Sequence, residues 1–128
     1  MIKLAYLAMG GAAGAILRYW VSGLSYKIYG GVFPWGTLIV NLAGSFLIGF
    51  FWGLLGRENM GANVRTFLFI GLFGSFTTFS TFAFESLNLI RDGNIKFALA
   101  NVLASNVFGI LLVFAGFILS KMVLNIKI

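Results

Sequence analysis

The sequence predicts an all-α membrane protein with four transmembrane helices. Hydrophobic residues make up 60% of the 128 residues, charged residues make up only 9%, and the mean hydropathy is +1.01. A water-soluble domain carries about a quarter charged residues, so this chain has too little polar surface to face water. At this length it forms one transmembrane domain over residues 1–128.

The composition also excludes several function classes. The sequence has no cysteine and no histidine, which excludes disulfides, thiolate nucleophiles, histidine proton relays and the usual zinc sites. We predict that the protein is not an enzyme, because Glu85 is the only acidic residue near a span and no partner base accompanies it. Nucleic-acid binding is not indicated by the net charge of +6, since the nine cations are scattered singly along the chain.

Long uncharged intervals locate the helices, because a transmembrane helix needs about 20 predominantly apolar residues. Intervals of 29, 19 and 24 residues lie between Lys27 and Arg57, between Arg65 and Glu85, and between Lys96 and Lys121. The first helix lies between Lys3 and Lys27, interrupted only by Arg18. We therefore predict helices over about 4–26, 35–55, 65–90 and 96–121.

The first helix is rich in small residues. Gly10 and Gly14 have the GxxxG spacing of close helix packing. Arg18 shares a face with Gly14 and Ser22, and its guanidinium must find water, an anion or carbonyl groups because it keeps its proton. Residues 1–17 have an alternative interpretation as a cleavable signal peptide, since Lys3 precedes a short apolar run that ends in small residues.

The second helix follows Pro34, a residue that suits the start of a helix. Thr37, Asn41 and Ser45 are spaced at i, i+4 and i+8 and therefore share one face. The amide of Asn41 offers two N–H donors that can point at an anion without carrying a full charge. An ordinary interhelical hydrogen bond is the alternative role for this side chain.

The third helix is predicted to be broken near its middle. Two glycines and five hydroxyl residues occupy that region: Gly71, Gly74, Ser75, Thr77, Thr78, Ser80 and Thr81. They weaken the helix, and carbonyls freed at membrane depth can bind a cation. The rings of Phe79 and Phe82 can present their positive edges to a small anion, with ordinary packing as the alternative.

The fourth helix carries a stripe of small and polar residues close to one face: Asn101, Ser105, Gly109 and Gly116. Small residues at this spacing are typical of close helix packing. Asn101 and Ser105 are also polar enough to line a watery groove.

Lysine and arginine are nearly balanced across the membrane. Four spans place five of these cations on the side of the termini and three on the other side, or four if Arg18 reaches that side. The five are Lys3, Arg57, Arg65, Lys121 and Lys127, and the three are Lys27, Arg91 and Lys96. The positive-inside rule therefore gives little preference for one orientation, and the chain could insert in both. The alternative is that a few well-placed cations fix one orientation.

These motifs resemble the Fluc (CrcB) family of fluoride channels. The similar segments are residues 11–19, 36–45 and 74–82, and the run TTFSTF downstream of GTLIVN is the most specific of them. The resemblance covers the whole chain. It implies a channel that exports cytoplasmic fluoride passively and confers fluoride resistance, working as a dual-topology antiparallel homodimer in the bacterial inner membrane.

The resemblance also implies roles for individual residues. Asn41 would donate to fluoride, while Phe79 and Phe82 would line each of two pores. Gly74 and Thr77 would supply backbone carbonyls to a structural sodium ion at the dimer centre. The other pore positions would be Ser80, Thr81, Ser105 and Glu85, with Arg18 and Thr37 as further candidates. Ser75 and Gly109 depart from the family pattern, which leaves the polar path near them less defined.

Two other functions remain open from the sequence. A small multidrug-resistance-type exporter also has four spans and dual topology, but it needs a carboxylate deep in its first helix, where this chain has only Arg18. A membrane scaffold or accessory subunit without transport would explain the glycine packing. It would not explain the polar middle of the third helix.

Overall fold

The computed structural model describes residues 1–56 and 60–125, and every regular element in those ranges is helical. Four helical spans are long and apolar enough to cross a membrane. They are Ile2–Tyr29 (α1), Trp35–Leu55 (α2), a third span over Ala62–Arg91 and a fourth over Ile95–Val123. Arg57 and Lys127, which entered the charge balance, lie outside the described residues.

The first two spans end at glycines. α1 runs to Tyr29, three residues beyond the predicted end, because Gly30 is the first residue to leave the helix, with φ of 53°. The left-handed region favours glycine over residues that carry a Cβ. α2 begins directly after Pro34 and ends before Gly56, whose φ is 66°. The first connection is therefore only residues 30–34.

The third span contains an extended stretch. Its first part, α3 over residues 62–76, is α-helical at Ala62–Arg65, π-helical at Thr66–Phe73 and α-helical again at Gly74–Phe76. Thr77 and Thr78 then have extended backbones, with ψ of 159° and 115°. The second part, α4, spans Phe79–Arg91. The hydroxyl of Thr78 accepts the Thr81 N–H at 3.3 Å and so caps α4.

The fourth span, α5, also contains a π-helical turn. It is α-helical at Ile95–Leu103 and Gly109–Val123, with the π segment Ala104–Phe108 between them. π turns are rare and occur often at functional sites, because the extra residue changes the direction in which side chains point. This turn carries Ser105 and Asn106.

Glycines determine how closely the spans approach. α1 packs mainly against α3, and α2 packs mainly against the second half of α5. A Cβ atom at Gly14 would collide with the Leu72 carbonyl oxygen, and one at Gly116 would collide with the Phe46 carbonyl oxygen. These contacts between backbones favour the packing role of the small residues in α1 and at Gly116.

Candidate functional site

The amide of Asn41 holds the extended stretch of the third span. Its Oδ1 accepts the Thr78 N–H at 2.7 Å, and its Nδ2 donates to the Thr78 carbonyl oxygen at 3.0 Å. Both backbone groups of Thr78 are therefore tied to α2. An amide nitrogen carries two N–H groups, and this contact uses one of them. The interhelical role and the role of donor to a ligand are thus compatible in the same side chain.

The hydrogen bonds around Thr78 leave two backbone carbonyls without the partners they would have in a helix. In a continuous helix the Thr78 N–H would bond to Gly74, and the Thr81 N–H would bond to Thr77. The first donates to Asn41 instead, and the second donates to the Thr78 hydroxyl. The Gly74 and Thr77 carbonyls have therefore lost their helical partners. A guanidinium nitrogen of Arg18, Nη1, lies 3.5 Å from the Thr77 oxygen.

One side of the extended stretch opens into a cleft of about 350 Å³, here called the phenylalanine cleft. Six predicted site residues line it: Asn41, Gly74, Thr77, Phe79, Phe82 and Ser105. The other lining residues are Gly44, Ser45, Ile48, Phe69, Phe73, Thr78 and Asn106. No charged side chain lines this cleft within the described part of the chain. Both π-helical segments contribute to its wall, which places their unusual geometry at the candidate site.

The two predicted phenylalanines differ in exposure. Their ring centroids lie 5.4 Å apart, with 51° between the ring planes. Phe82 is only 7% exposed, whereas Phe79 is 76% exposed on the surface of the single chain. The two rings are therefore tilted against each other rather than stacked. The pair therefore forms one wall of a cleft that remains open on the Phe79 side.

The other side of the extended stretch opens into a second cleft of about 410 Å³, here called the arginine cleft. Four predicted site residues line it: Arg18, Thr37, Thr81 and Glu85. Its other lining residues are Ala15, Tyr19, Ser22, Tyr26, Val40 and Thr78. Thr78 lines both clefts, so the extended stretch is the partition between them.

One carboxylate oxygen of Glu85 accepts hydrogen bonds from two hydroxyl groups. Its Oε1 accepts from the Tyr26 hydroxyl and from the Thr37 hydroxyl, each at 2.8 Å. Its Oε2 is buried and has no hydrogen-bond partner among the described residues. A buried carboxylate oxygen without a donor is costly, so this group is only half satisfied within one chain.

Ser80 is the one predicted site residue that lines neither cleft. It lies next to Phe79 on the exposed surface of α4. Thr81 and Asn106 are also exposed, although each touches a cleft. Lipid chains offer no hydrogen bonds, so polar side chains at membrane depth need protein or water against them.

Sequence reasoning missed two contributors to the site. Thr78 is the partition residue, and the signal for it was a threonine placed to cap the amphipathic segment that begins at Phe79. Tyr26 had no local signal, because its partner Glu85 is 59 residues away. Asn101, which the sequence offered for helix packing or for a watery groove, is fully buried and donates to the Ser86 hydroxyl at 3.0 Å.

A second hydrogen bond links Asn101, through Ser86, to the backbone of Phe82. The Ser86 hydroxyl donates to the Phe82 carbonyl oxygen at 2.8 Å. The Ser105 hydroxyl lies 3.5 Å from Asn101 Oδ1. Asn101 therefore couples α5 to the backbone of α4 behind Phe82, so its structural role is clear while its side chain stays out of both clefts.

Comparison with known proteins gives consistent matches. Residues 5–117 match the family described as CrcB-like protein, Camphor Resistance (CrcB). The chain is 50% identical over 125 residues to a fluoride-specific ion channel FluC of Parabacteroides distasonis, covering 98% of each chain. It is 42% identical to the protein of that name from Methylocella silvestris, covering 95% of each chain. It is 47% identical to the one from Salinibacter ruber, covering 91% of this chain and 87% of the relative. These relatives are named as channels and not as enzymes.

Proposed function

This chain belongs to the CrcB family, and from that membership we propose that it is a fluoride-specific channel. It carries fluoride passively out of the cytoplasm and thereby confers fluoride resistance on the cell. Its four spans suit a multi-pass membrane protein, and we propose the bacterial inner membrane as its location. The observation that carries the proposal is the uncharged phenylalanine cleft, in which the Asn41 amide and the rings of Phe79 and Phe82 face the same space.

The chemistry of this cleft suits fluoride. Fluoride is small, strongly hydrated and an avid hydrogen-bond acceptor, so it enters a site only where donors replace its water. The second N–H of Asn41 is such a donor, the hydroxyl of Ser105 becomes one when it turns away from Asn101 Oδ1, and the ring edges add weaker positive charge. Because none of these groups carries a full charge, the ion is not trapped. Conduction requires binding that is strong enough for the ion to enter and weak enough for it to leave.

We propose that the working unit is an antiparallel homodimer. The single chain leaves Phe79 exposed and its cleft open, with Ser80 and Asn106 on the surface of the spans. A second copy would cover these groups and enclose the path, whereas lipid cannot satisfy them. Insertion in both orientations follows from the near balance of loop cations, and two copies related in this way would form two equivalent pores.

The freed carbonyls fit a structural sodium ion. Gly74 and Thr77 present oxygen atoms without helical partners, and oxygen donors suit a hard cation. The extended stretch of one chain supplies two such carbonyls, of which the Thr77 oxygen also lies 3.5 Å from Arg18 Nη1, so a complete site requires the same pair from a second copy at the dimer centre. A bound sodium ion would supply a fixed positive charge that holds the two breaks together. Replacing sodium with a large organic cation should then weaken the dimer, and an unchanged dimer would refute the assignment.

Proteoliposomes that contain only the purified protein test the channel proposal. We expect fluoride efflux without any imposed proton gradient, and chloride efflux at the level of protein-free vesicles, because the donors are arranged for one small acceptor. A fluoride electrode and a chloride electrode measure both ions in matched vesicles. Equal efflux of the two halides would contradict a fluoride-specific channel. Strict dependence on a proton gradient would favour the exporter alternative instead.

Dual topology has its own test in cells. A tag on the C-terminus should be accessible from both sides of the inner membrane, because the loop cations hardly favour one orientation. Adding two lysines to the connection at residues 30–34 should shift the population toward one orientation and reduce the number of active dimers. A single orientation in the unmodified protein would rule out the antiparallel dimer.

A further inference from the structure

An apolar groove lies where the first connection meets the start of the fourth span. It has a volume of about 470 Å³ and is here called the aromatic groove. Its lining consists of aromatic and aliphatic side chains and of glycine: Gly30, Gly31, Val32, Phe33, Trp35, Phe97 and Ala100. None of the residues assigned above to the anion or to sodium belongs to this lining. The aromatic groove is therefore separate from the two clefts of the candidate site.

Aromatic contacts and glycine backbone give the groove its shape. The ring centroid of Phe33 lies 4.8 Å from that of Trp35 and 6.0 Å from that of Phe97. Phe33 and Phe97 meet edge to face, with 72° between their planes, which joins the first connection to α5. Gly30 and Gly31 have φ of 53° and 81°, and a Cβ on either would meet no atom within 4 Å. Backbone that favours glycine thus borders open space at the groove.

The groove lies at one edge of the membrane. Trp35 is the first residue of α2 and Phe97 is the third residue of α5, so both stand at span ends on the same side. Tryptophan is typical of the level of the lipid headgroups. Ala100 lines the groove about one turn farther along α5. The groove therefore extends from the headgroup level into the apolar layer, where the bilayer supplies acyl chains.

Cations outnumber acidic residues at this end of the spans. Lys27, Arg91 and Lys96 are exposed here, and Asp92 is the acidic residue of the adjoining connection. Lys96 lies four residues before Ala100, which places it on the same face of α5 and one turn nearer the surface. A lysine at this level can keep its ammonium among lipid phosphates while its methylene stem lies along apolar surface. The charge at this end is complementary to a headgroup with a net negative charge.

We propose that the aromatic groove binds an anionic phospholipid, with one acyl chain in the groove and the phosphate beside Lys96. The apolar chain then meets the rings and glycines, and the negative charge meets the ammonium group. A zwitterionic phospholipid offers the same chain, but its headgroup has no net charge and gains less from the excess of cations. The inference rests on the four spans and not on the ion that the protein carries.

Quenching of tryptophan fluorescence by brominated acyl chains tests this proposal, because Trp35 lines the groove. Trp20→Phe and Trp52→Phe leave Trp35 as the single tryptophan of the chain. The vesicles contain equal amounts of phosphatidylglycerol and phosphatidylcholine with matched chains, and bromine is placed on one lipid or on the other. We expect about fivefold stronger binding of phosphatidylglycerol, the factor that corresponds to one lysine at an anionic surface.

Two pairs of variants locate the headgroup and the chain. Lys96→Gln should bring the preference close to unity, whereas Lys3→Gln removes an exposed lysine from the opposite end of the spans and should keep the preference. Ala100→Phe should fill the groove and lower the number of phosphatidylglycerol molecules that native mass spectrometry finds on the protein. Ala12→Phe adds the same ring at an exposed alanine outside all three clefts, and it should leave that number unchanged.

Each contrary outcome refutes a stated part of the proposal. Equal quenching by the two lipids would refute a site for anionic lipid. Quenching by neither lipid would refute it as well, because a second copy of the chain would then cover the groove. A preference that survives Lys96→Gln would refute the headgroup contact, and lipid retention that survives Ala100→Phe would refute the groove as the binding place. Native mass spectrometry uses the protein with all its tryptophans, so it decides the proposal even where the single-tryptophan variant does not fold.

Discussion

Replacing Asn41 with aspartate should reduce fluoride flux by about a hundredfold, since losing a hydrogen bond to a buried group and adding a charge together cost about two factors of ten. The carboxylate still accepts the Thr78 N–H, but it cannot donate to the Thr78 carbonyl. It also brings a negative charge into a cleft whose described lining is uncharged, where it repels the anion. Efflux from proteoliposomes measures the loss, and gel filtration checks that a dimer still forms.

Asn106→Asp is the matched control for this variant. Asn106 lines the same cleft, but its Nδ2 donates to the Val102 carbonyl of its own span at 2.7 Å. The substitution therefore adds the same charge without touching Thr78. We expect a clearly smaller loss of flux than with Asn41→Asp. Equal losses would show that charge alone matters, and parental flux in Asn41→Asp would remove Asn41 from the pore.

Replacing Phe79 or Phe82 with isoleucine should lower fluoride flux by about tenfold, the size expected when a favourable ring-edge contact is lost. Isoleucine keeps an apolar side chain but has no positive edge. The exposed Phe79 can be changed without disturbing the core of the chain, whereas Phe82 is buried. Phe82→Ile should therefore also lower thermal stability, and a comparison of melting temperature with flux separates the two effects.

Phe84→Ile tests whether the position of the ring matters. Phe84 is 62% exposed on the same helix as Phe79, and it lines neither the phenylalanine cleft nor the arginine cleft. Its replacement should leave flux within about a factor of two, as is usual for surface changes away from a site. If Phe79→Ile matches Phe84→Ile, the ring of Phe79 is a packing group and the aromatic wall is wrongly assigned.

The number of spans was predictable because it depends on local composition, whereas most of the site candidates came from the family resemblance. Uncharged stretches as long as the 24 residues before Lys121 predict membrane helices in any fold, since the bilayer sets their length. The hydroxyl-rich run around Thr77 and Thr78 indicated a weak helix, and those two residues have extended backbones in the structure. Ten of the eleven candidate residues line one of two clefts, with Ser80 outside both.

The partners of those residues were not predictable, because each lies on another span. Asn41 bonds to Thr78 across 37 residues, and Tyr26 bonds to Glu85 across 59. The sequence suggested that Asn41 serves an anion or a neighbouring helix, and the fold allows both because one N–H holds Thr78 and another is left. The division of the site into two clefts depends on tertiary structure. The segment that separates the clefts is the extended backbone at Thr78, and Asn41 of α2 holds it in place.

Local properties of the sequence specify an all-helical membrane chain with four spans, a polar weak point in the third and small residues at helix contacts. These properties follow from hydropathy, helix propensity and side-chain size, which act over a few residues. Tertiary packing alone decided which carbonyls are freed, which ring is buried and which hydroxyl meets Glu85. These features depend on contacts between residues that are distant in the sequence. A polar group in a membrane needs a hydrogen-bond partner from the protein, and the fold determines which residue is close enough to provide it.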